Sequence, residues 1–222
     1  GSSDGSLAIL RAHARTDARI RIVSRPNRGV TPTLNEGIAL ARGRYLARMD
    51  ADDVALPERL RLQVQALDAS PELVAIGGQL VLIDVQDRVL TEMRMPTDHA
   101  EIDAAHLEGR GGAIVHPAAM MRREALERIG GYRVETEPAE DLDLFLRLAE
   151  VGRVANLEET LLRYRVHLKS VGHLRRKEQA ESTRRVVAAA RERRGLDACA
   201  DLEARRAGDD LTALAHRQKW VW

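Results

Sequence analysis

The chain has 222 residues, a formal net charge of +1 and a single cysteine. This length suits one domain, or a domain with a tail, and the balanced charge gives no argument for a nucleic-acid partner. Cys199 alone excludes a disulfide framework or a cysteine-based zinc site within this chain, and it fits a reducing compartment. No apolar run approaches the roughly 18 residues of a membrane span, and the small, polar start does not resemble a signal peptide.

The charge is divided unevenly along the chain. Residues 168–222 contain 13 Lys and Arg against 8 Asp and Glu, whereas the residues before them carry an acidic excess. A basic tail could contact an anionic membrane face, although a solvated helix surface is the simpler interpretation. The expected location is therefore cytoplasmic, with peripheral attachment at the inner face of a membrane as the alternative.

The first third of the chain alternates helices with strands. Helices are predicted over residues 7–15, from Pro32 to a stop at Gly43, and from Pro57 to Pro71. Strands are predicted at residues 19–23, where polar and apolar side chains alternate, and at residues 44–49. Alternation of helices and strands favours an α/β fold.

The remainder mixes hairpins with helices. Strands are predicted over residues 74–76, 80–85, 89–95, 113–115, 118–122, 154–157 and 161–166, with a hairpin turn at 84–88. Helices are predicted after a capping box at Asp98 and Glu101, over residues 123–129, from Glu140, and in the charged tail from Arg175. Together the elements predict an α/β fold with a mixed sheet flanked by helices and a helical C-terminal tail.

Three acids follow the strand predicted at residues 44–49. Asp50, Asp52 and Asp53 lie where an α/β sheet binds its ligands, just beyond the carboxyl end of a strand. Carboxylate oxygens are what Mg²⁺ or Mn²⁺ prefers, and such ions keep room for substrate phosphates. Asp50 and Asp52 point to the same side of extended backbone. The stretch therefore indicates a metal–diphosphate site, against the plainer alternative of an acidic turn.

Glu140, Asp141, His116 and His167 are further candidates. The two acids begin a helix, where they either cap exposed amide groups or act as a general base held on rigid backbone. Each histidine lies at a strand end or edge, and each is either a structural residue or part of a site. Taken alone, none of the four decides between the two alternatives.

At this point the sequence resembles glycosyltransferase family 2, whose members have the GT-A fold. The pieces that carry the resemblance are Asn27-Arg28-Gly29, Leu34 to Ala39, Gly43 to Asp53, His116-Pro117, Gly130-Gly131-Tyr132, Glu140 to Leu144 and Tyr164 to His167. Their order and spacing cover residues 1–172 as a GT-A-like domain. Residues 173–222 remain as a helical, charged C-terminal extension.

The resemblance implies a nucleotide-sugar donor site with a metal ion. Asp50 would contact the sugar or ribose of the donor, Asp52 would ligate Mg²⁺ or Mn²⁺, and Asp53 would support both. His167 matches a position that helps to hold the metal or the diphosphate. Three further residues are placed on the donor side: Asp4, Asn27 and Asn35.

The resemblance also implies an inverting single displacement. Asp141, with Glu140 beside it, would be the catalytic base, and His116 would line the acceptor side. The donor would be a nucleoside-diphosphate sugar, with a UDP-sugar favoured. The acceptor would be a saccharide or lipid-linked hydroxyl in surface polysaccharide or glycolipid assembly.

The chain departs from the family's pattern at its start. Relatives begin with a strand, a helix and a second strand, and this chain resembles the family only from the end of that segment, with Asp4 as a remnant of the nucleoside-binding loop. Leu34 also stands where relatives often have arginine. These departures make nucleotide affinity and independent folding questions for experiment.

Three alternatives remain open from the residues. A binding module that has lost catalysis would keep the acids without turnover. Asp50-Ala51-Asp52-Asp53-Val54 also fits the nucleophile motif of haloacid-dehalogenase-like phosphatases, but those enzymes need a lysine, and residues 1–168 contain none. A nucleotidyltransferase would need a glycine-rich phosphate loop, which does not open this chain.

Overall fold

The computed structural model describes residues 1–167 and 175–197. In this part of the chain, six strands form one mixed sheet in the order β1-β5-β3-β6-β2, and β4 pairs with β3. The strands are β1 (Tyr45–Ala47), β2 (Val54–Ala55), β3 (Leu73–Ile83), β4 (Val89–Met93), β5 (Met120–Arg122) and β6 (Arg153–Arg165). The pairing of β3 with β6 is parallel, and the other pairings are antiparallel.

Helices flank this sheet, as the sequence predicts. The helices of the described residues are α1 (Ser6–Thr16), α2 (Val30–Leu40), α3 (Arg59–Ala69), α4 (His99–Leu107), α5 (Arg123–Arg128), α6 (Glu140–Ala149) and α7 (Arg176–Arg193), of which α1 buries no residue and α7 packs on α6. Asp98 caps α4 by accepting hydrogen bonds from the amides of Ala100 and Glu101, at 2.8 and 3.1 Å. The predicted α/β class with a mixed sheet is confirmed.

Helix α6 is buried on two sides, which fixes its position. Leu144 and Leu148 belong to the core cluster against the sheet, and Leu142 and Leu146 pack against Val187 of α7. The two pairs are each spaced by four residues, so they form two separate apolar stripes on one helix. Because α6 is held from both sides, the acids at its first turn are set on rigid backbone.

Residues 19–23, predicted as a strand, are irregular in the structure. Among the described residues no strand pairs with this segment, and Ile20 and Val23 are 37% and 52% exposed. Alternating side chains favour a strand only where a neighbouring strand supplies hydrogen bonds. The prediction of a strand at residues 19–23 is therefore wrong for this chain.

Three other predictions of element boundaries need correction. Residues 74–76 and 80–83 belong to the single strand β3, which ends at Ile83 and not at residue 85. Gly77 and Gly78 lie within it, where the side chains of Asn156 and Leu161 occupy the space that their Cβ atoms would fill. Residues 154–157 and 161–166 likewise form the single strand β6, up to Arg165. Residues 113–115, predicted as a strand, are not one: Ala113 ends the 3₁₀ turn Gly111–Ala113, and the next two residues lead into a second 3₁₀ turn, His116–Ala118.

The tail is described only in part. The boundary at residues 172 and 173 lies outside the described residues, as do Cys199 and the end of the basic segment. The described portion, α7, packs on α6 through Val186, Val187 and Ala190. In the described residues, no helix combines the length and the apolar character that crossing a membrane requires.

Candidate active site

The three acids lie in the turn between β1 and β2. Ligand oxygens of Asp50, Asp52 and Asp53 lie within 4.8 Å of one another. The turn is held on one side by the pairing of β1 with β5 and on the other by the pairing of Val54 with β6. Three hard oxygen ligands on fixed backbone are a donor set that a divalent cation can use.

Asp53 is the most buried of the three acids. Its Oδ1 accepts a hydrogen bond from the amide of Arg165 at 2.8 Å, whereas its Oδ2 is buried and has no hydrogen-bond partner in the described part of the chain. Burial, followed by the charges of Asp52 and Asp50, raises the pKa of Asp53 to about 6. A buried carboxylate oxygen without a partner, beside two other acids, fits a cation bound at this turn.

The end of β6 brings His167 to the acidic turn. Its Nε2 lies 3.0 Å from Oδ2 of Asp52, and the two side chains are 30% and 46% exposed. Arg165 anchors the same strand end by donating from Nε to the carbonyl oxygen of Asp52 at 2.7 Å. The two residues predicted to hold a metal, Asp52 and His167, are therefore adjacent.

Two arginines that the sequence analysis did not single out support the turn. Arg48 Nη1 lies 2.6 Å from Oδ2 of Asp50. Arg59, only 1% exposed, donates from Nη2 to the carbonyl oxygen of Arg48 at 2.7 Å, and its Nε donates to Gln63 at 3.2 Å. Burial lowers the pKa of Arg59 to about 10. Arg59 and Gln63 are spaced by four on one helix, but this spacing alone does not show from the sequence that the pair is buried.

Glu140 and Asp141 occupy the first turn of α6. Oδ1 of Asp141 accepts a hydrogen bond from the amide of Leu142 at 2.8 Å. Burial, followed by the charge of Asp141, raises the pKa of Glu140 to about 7, and burial also raises the pKa of Asp141. The charge of Asp50 contributes to the shift of Asp141 as well. The pair can thus take up a proton near neutral pH, which is the property of a general base.

His116 is packed against helix α6. Its Nε2 lies 2.6 Å from the hydroxyl of Tyr132, and its ring meets Phe145 edge-on at 6.1 Å. Burial keeps the pKa of His116 well below its ordinary value, so the ring is neutral. With only 7% of its surface exposed, His116 forms part of the wall behind the site. Its contact with an acceptor stays a prediction.

Asn35 holds the segment that carries Tyr132. Its Nδ2 donates to the carbonyl oxygen of Tyr132, and its Oδ1 accepts from the amide of Tyr132, both at 2.9 Å. The side chain is therefore engaged with backbone, and a donor contact has no support from this geometry.

Asp4 and Asn27 serve local turns in exposed parts of the chain. Oδ1 of Asp4 accepts from the amide of Ser6 at 3.0 Å at the start of α1. Oδ1 of Asn27 accepts from the amide of Gly29 at 2.9 Å, just before α2. Asn27 also lines a cavity of about 530 Å³ with Arg21 and Arg25. The donor role of both residues stays a prediction.

The fold matches that of solved sugar transferases. A mannosyltransferase from Pyrobaculum calidifontis, PcManGT, solved in complex with GDP-Man and Mn²⁺, superposes with a TM-score of 0.60. The match covers 90% of this chain and 54% of that chain at 19% sequence identity. The mixed sheet flanked by helices, with an acidic turn at a strand end, is accordingly a GT-A fold.

Sequence comparison then gives the family. The model of glycosyl transferase family 2 matches residues 1–130, and the chain belongs to that family. The Bacillus subtilis (strain 168) protein EpsE is 31% identical over 169 residues, covering 74% of this chain and 59% of EpsE. The amylovoran biosynthesis glycosyltransferase AmsE of Erwinia amylovora is 30% identical over 141 residues, or 63% of this chain and 51% of AmsE.

The matches support the resemblance seen in the sequence and limit what it covers. The family match includes Asp50, Asp52, Asp53 and His116 but ends before Glu140. The chain spans between half and three fifths of the length of these two relatives. Membership in this family leaves no support for the phosphatase interpretation of residues 50–54.

Proposed function

We propose that the protein transfers a sugar from a nucleoside-diphosphate donor to a hydroxyl acceptor, with a divalent metal ion held by the acidic turn. The observation that carries the proposal is the grouping of Asp50, Asp52 and Asp53 oxygens within 4.8 Å, with one buried oxygen of Asp53 lacking a partner. Membership in glycosyl transferase family 2 gives the class of reaction.

Asp52 and Asp53 would hold the ion, with His167 beside them. Carboxylate ligands suit Mg²⁺ or Mn²⁺ equally, and the PcManGT complex contains Mn²⁺. A bound ion supplies positive charge where the leaving diphosphate gains negative charge. Asp50, partly exposed and paired with Arg48, remains available to a hydroxyl of the donor's sugar or ribose.

Asp141 would act as the base, supported by Glu140. In the reaction the acceptor oxygen bonds to the anomeric carbon while the bond from that carbon to the diphosphate oxygen breaks. The acceptor's proton passes to the carboxylate, and the nucleoside diphosphate leaves. Attack from the face opposite the leaving group inverts the anomeric configuration. Burial raises the pKa of Asp141 above its ordinary value, which strengthens this carboxylate as a proton acceptor, and the neighbouring Glu140, whose pKa is about 7, can share the proton.

The residues that select the nucleobase of the donor and the acceptor lie outside the acidic turn. The PcManGT complex contains GDP-Man, whereas a UDP-sugar is the expectation from the sequence. AmsE is named for amylovoran biosynthesis, and we propose that this chain acts in polysaccharide or glycolipid assembly on a saccharide or lipid-linked acceptor.

The proposal is tested by melting the protein with UDP, GDP, CDP or dTDP, each with Mn²⁺ or with EDTA. One nucleotide should raise the Tm in a metal-dependent manner, because a ligand that binds only the folded state stabilises it. Asp52→Asn should remove the shift, whereas Asp17→Asn, which changes a partly exposed acid paired locally with Arg19, should keep it. A cooperative melt without any metal-dependent shift would contradict the proposal.

A further inference from the structure

Arg48 lies directly after β1 and its main chain is fixed at both ends. Its amide donates to the carbonyl oxygen of Ala119 at 3.0 Å, and its own carbonyl oxygen accepts from Arg59 Nη2 at 2.7 Å. The side chain is 15% exposed. A largely buried arginine beside a solvent-accessible turn is positioned to bind a ligand, unlike an arginine that is solvated at the surface.

The guanidinium of Arg48 stands near both acidic groups of the site. Nη1 lies 2.6 Å from Asp50 Oδ2, and the positive charge partly opposes the rise that burial causes in the pKa of Glu140 and Asp141 at the start of α6. Arg48 therefore lies within electrostatic reach of the proposed donor site and of the proposed base. The titratable groups within its electrostatic reach include carboxylates from the acidic turn and from α6, together with the neutral ring of His116 and the guanidinium of Arg59.

Arg48 retains donors for a further partner. In the described part of the chain its side-chain hydrogen bond runs from Nη1 to Asp50. An arginine carries five N–H donors in a planar fork, a geometry that matches phosphate oxygens. The contact of Nη1 with Asp50, on a main chain fixed by two hydrogen bonds, holds that fork beside the proposed metal site.

We infer that Arg48 binds the diphosphate of the donor and stabilises the charge that develops on it as the sugar leaves. This inference rests on the proposed function, because a diphosphate reaches Arg48 only if a nucleotide binds at the acidic turn. The contact between Arg48 and the diphosphate is independent of the metal, because the guanidinium can bind phosphate oxygens without a divalent ion. Asp50 then holds the guanidinium ready before the donor arrives.

The test compares diphosphate with monophosphate binding in the presence and absence of metal. The nucleotide is the one, among UDP, GDP, CDP and dTDP, that gives the largest metal-dependent Tm shift, paired with its monophosphate. Affinities are measured by calorimetry in Mn²⁺ and in EDTA for the wild type, Arg48→Gln, Arg48→Lys and Asp52→Asn. Arg61→Gln, an exposed arginine paired with Glu58 on α3, is the matched control.

In EDTA the wild type should prefer the diphosphate over the monophosphate, and Arg48→Gln should reduce that preference by about 10- to 100-fold. Arg48→Lys should lose less, because it keeps the charge but not the fork. Asp52→Asn should reduce the preference only in Mn²⁺, and Arg61→Gln should leave it unchanged. Circular dichroism and melting of each variant exclude unfolding as the cause.

Two results would overturn the inference while leaving the proposed function intact. In the first, the wild type binds the diphosphate in Mn²⁺ but shows no preference for it over the monophosphate in EDTA. This first result includes the case in which neither nucleotide binds in EDTA. The other is an Arg48→Gln variant whose diphosphate and monophosphate affinities fall equally or not at all. A wild type that binds no nucleoside diphosphate even in Mn²⁺ would instead overturn the proposed function, and the inference with it.

Discussion

Replacing Glu140 with glutamine should stabilise the protein and weaken its activity. Burial and the neighbouring charge of Asp141 raise the pKa of Glu140 from 4.5 to about 7. A carboxyl group in this condition binds its proton more tightly in the folded chain than in the unfolded one. The charged form of Glu140 is therefore a cost to the folded state at alkaline pH.

The sign and size of this effect follow from the pKa difference. The stabilising contribution of the protonated group is fully present below pH 4.5 and is lost as the pH rises through 7. The full difference corresponds to about 3 kcal/mol at pH 8. Glu140 is only partly buried, so solvent screening reduces the expected gain from Glu140→Gln to about 1–2 kcal/mol. For a chain of this size that gain is roughly 2–8 °C in Tm.

The assay is thermal melting of wild type and Glu140→Gln at pH 8 and at pH 5. The variant should melt higher at pH 8 and nearly equally at pH 5, where most of the wild-type Glu140 is protonated. Glu135→Gln, an exposed acid five residues earlier, should shift the Tm little at either pH. Equal gains at both pH values, or no gain at pH 8, would refute the reasoning from burial and repulsion.

Three further predictions concern buried residues of the fold, His106, Arg59 and Gly78. His106 is fully buried with neither ring nitrogen hydrogen-bonded in the described chain, and burial lowers its pKa to about 4. The free energy of unfolding of the wild type should therefore fall by up to about 3 kcal/mol between pH 6.5 and 4. Denaturant titration should find this fall absent in His106→Leu. Arg59→Met should lower the free energy of unfolding by about 1–3 kcal/mol and reduce the Mn²⁺-dependent nucleotide shift in Tm, because the Arg48 carbonyl loses its hydrogen-bond donor. An unchanged nucleotide shift would show that Arg59 does not support the acidic turn. Gly78→Ala should destabilise by about 1–3 kcal/mol in urea unfolding, because the new methyl group meets the Leu161 side chain, whereas Gly112→Ala, with open space, should not.

The parts of the site that the sequence predicts are those encoded locally. The acidic turn follows directly from an apolar strand and three acids, and the start of α6 follows from two acids before a helical pattern. The contact between His167 and Asp52 joins residues 115 positions apart, and spacing alone carries no signal for it. The resemblance to a family placed both residues at the metal, and the structure brings them together.

The features that the sequence missed depend on distant partners. Arg59 is hydrogen-bonded to the carbonyl oxygen of Ala119, 60 positions away. The local sequence of α3 therefore does not predict that Arg59 is buried and supports the turn. Residues 19–23 alternate as a strand should, yet a strand needs a neighbour, and none pairs with them in the described chain. Gly77 and Gly78 suggest a break in β3 until the side chains of β6 that occupy their space are known.

The most direct test of the central claim is release of nucleoside diphosphate from a nucleotide sugar, followed with and without Mn²⁺ in wild type and Asp141→Asn. The donor carries the nucleotide identified by the melting experiment. The wild type should release the diphosphate in a metal-dependent manner, and Asp141→Asn should lose about 100-fold or more of this activity while keeping the Mn²⁺-dependent nucleotide Tm shift. Equal turnover by the two proteins would contradict Asp141 as the base. Nucleotide binding without turnover by the wild type would contradict catalysis by this chain and favour the binding module.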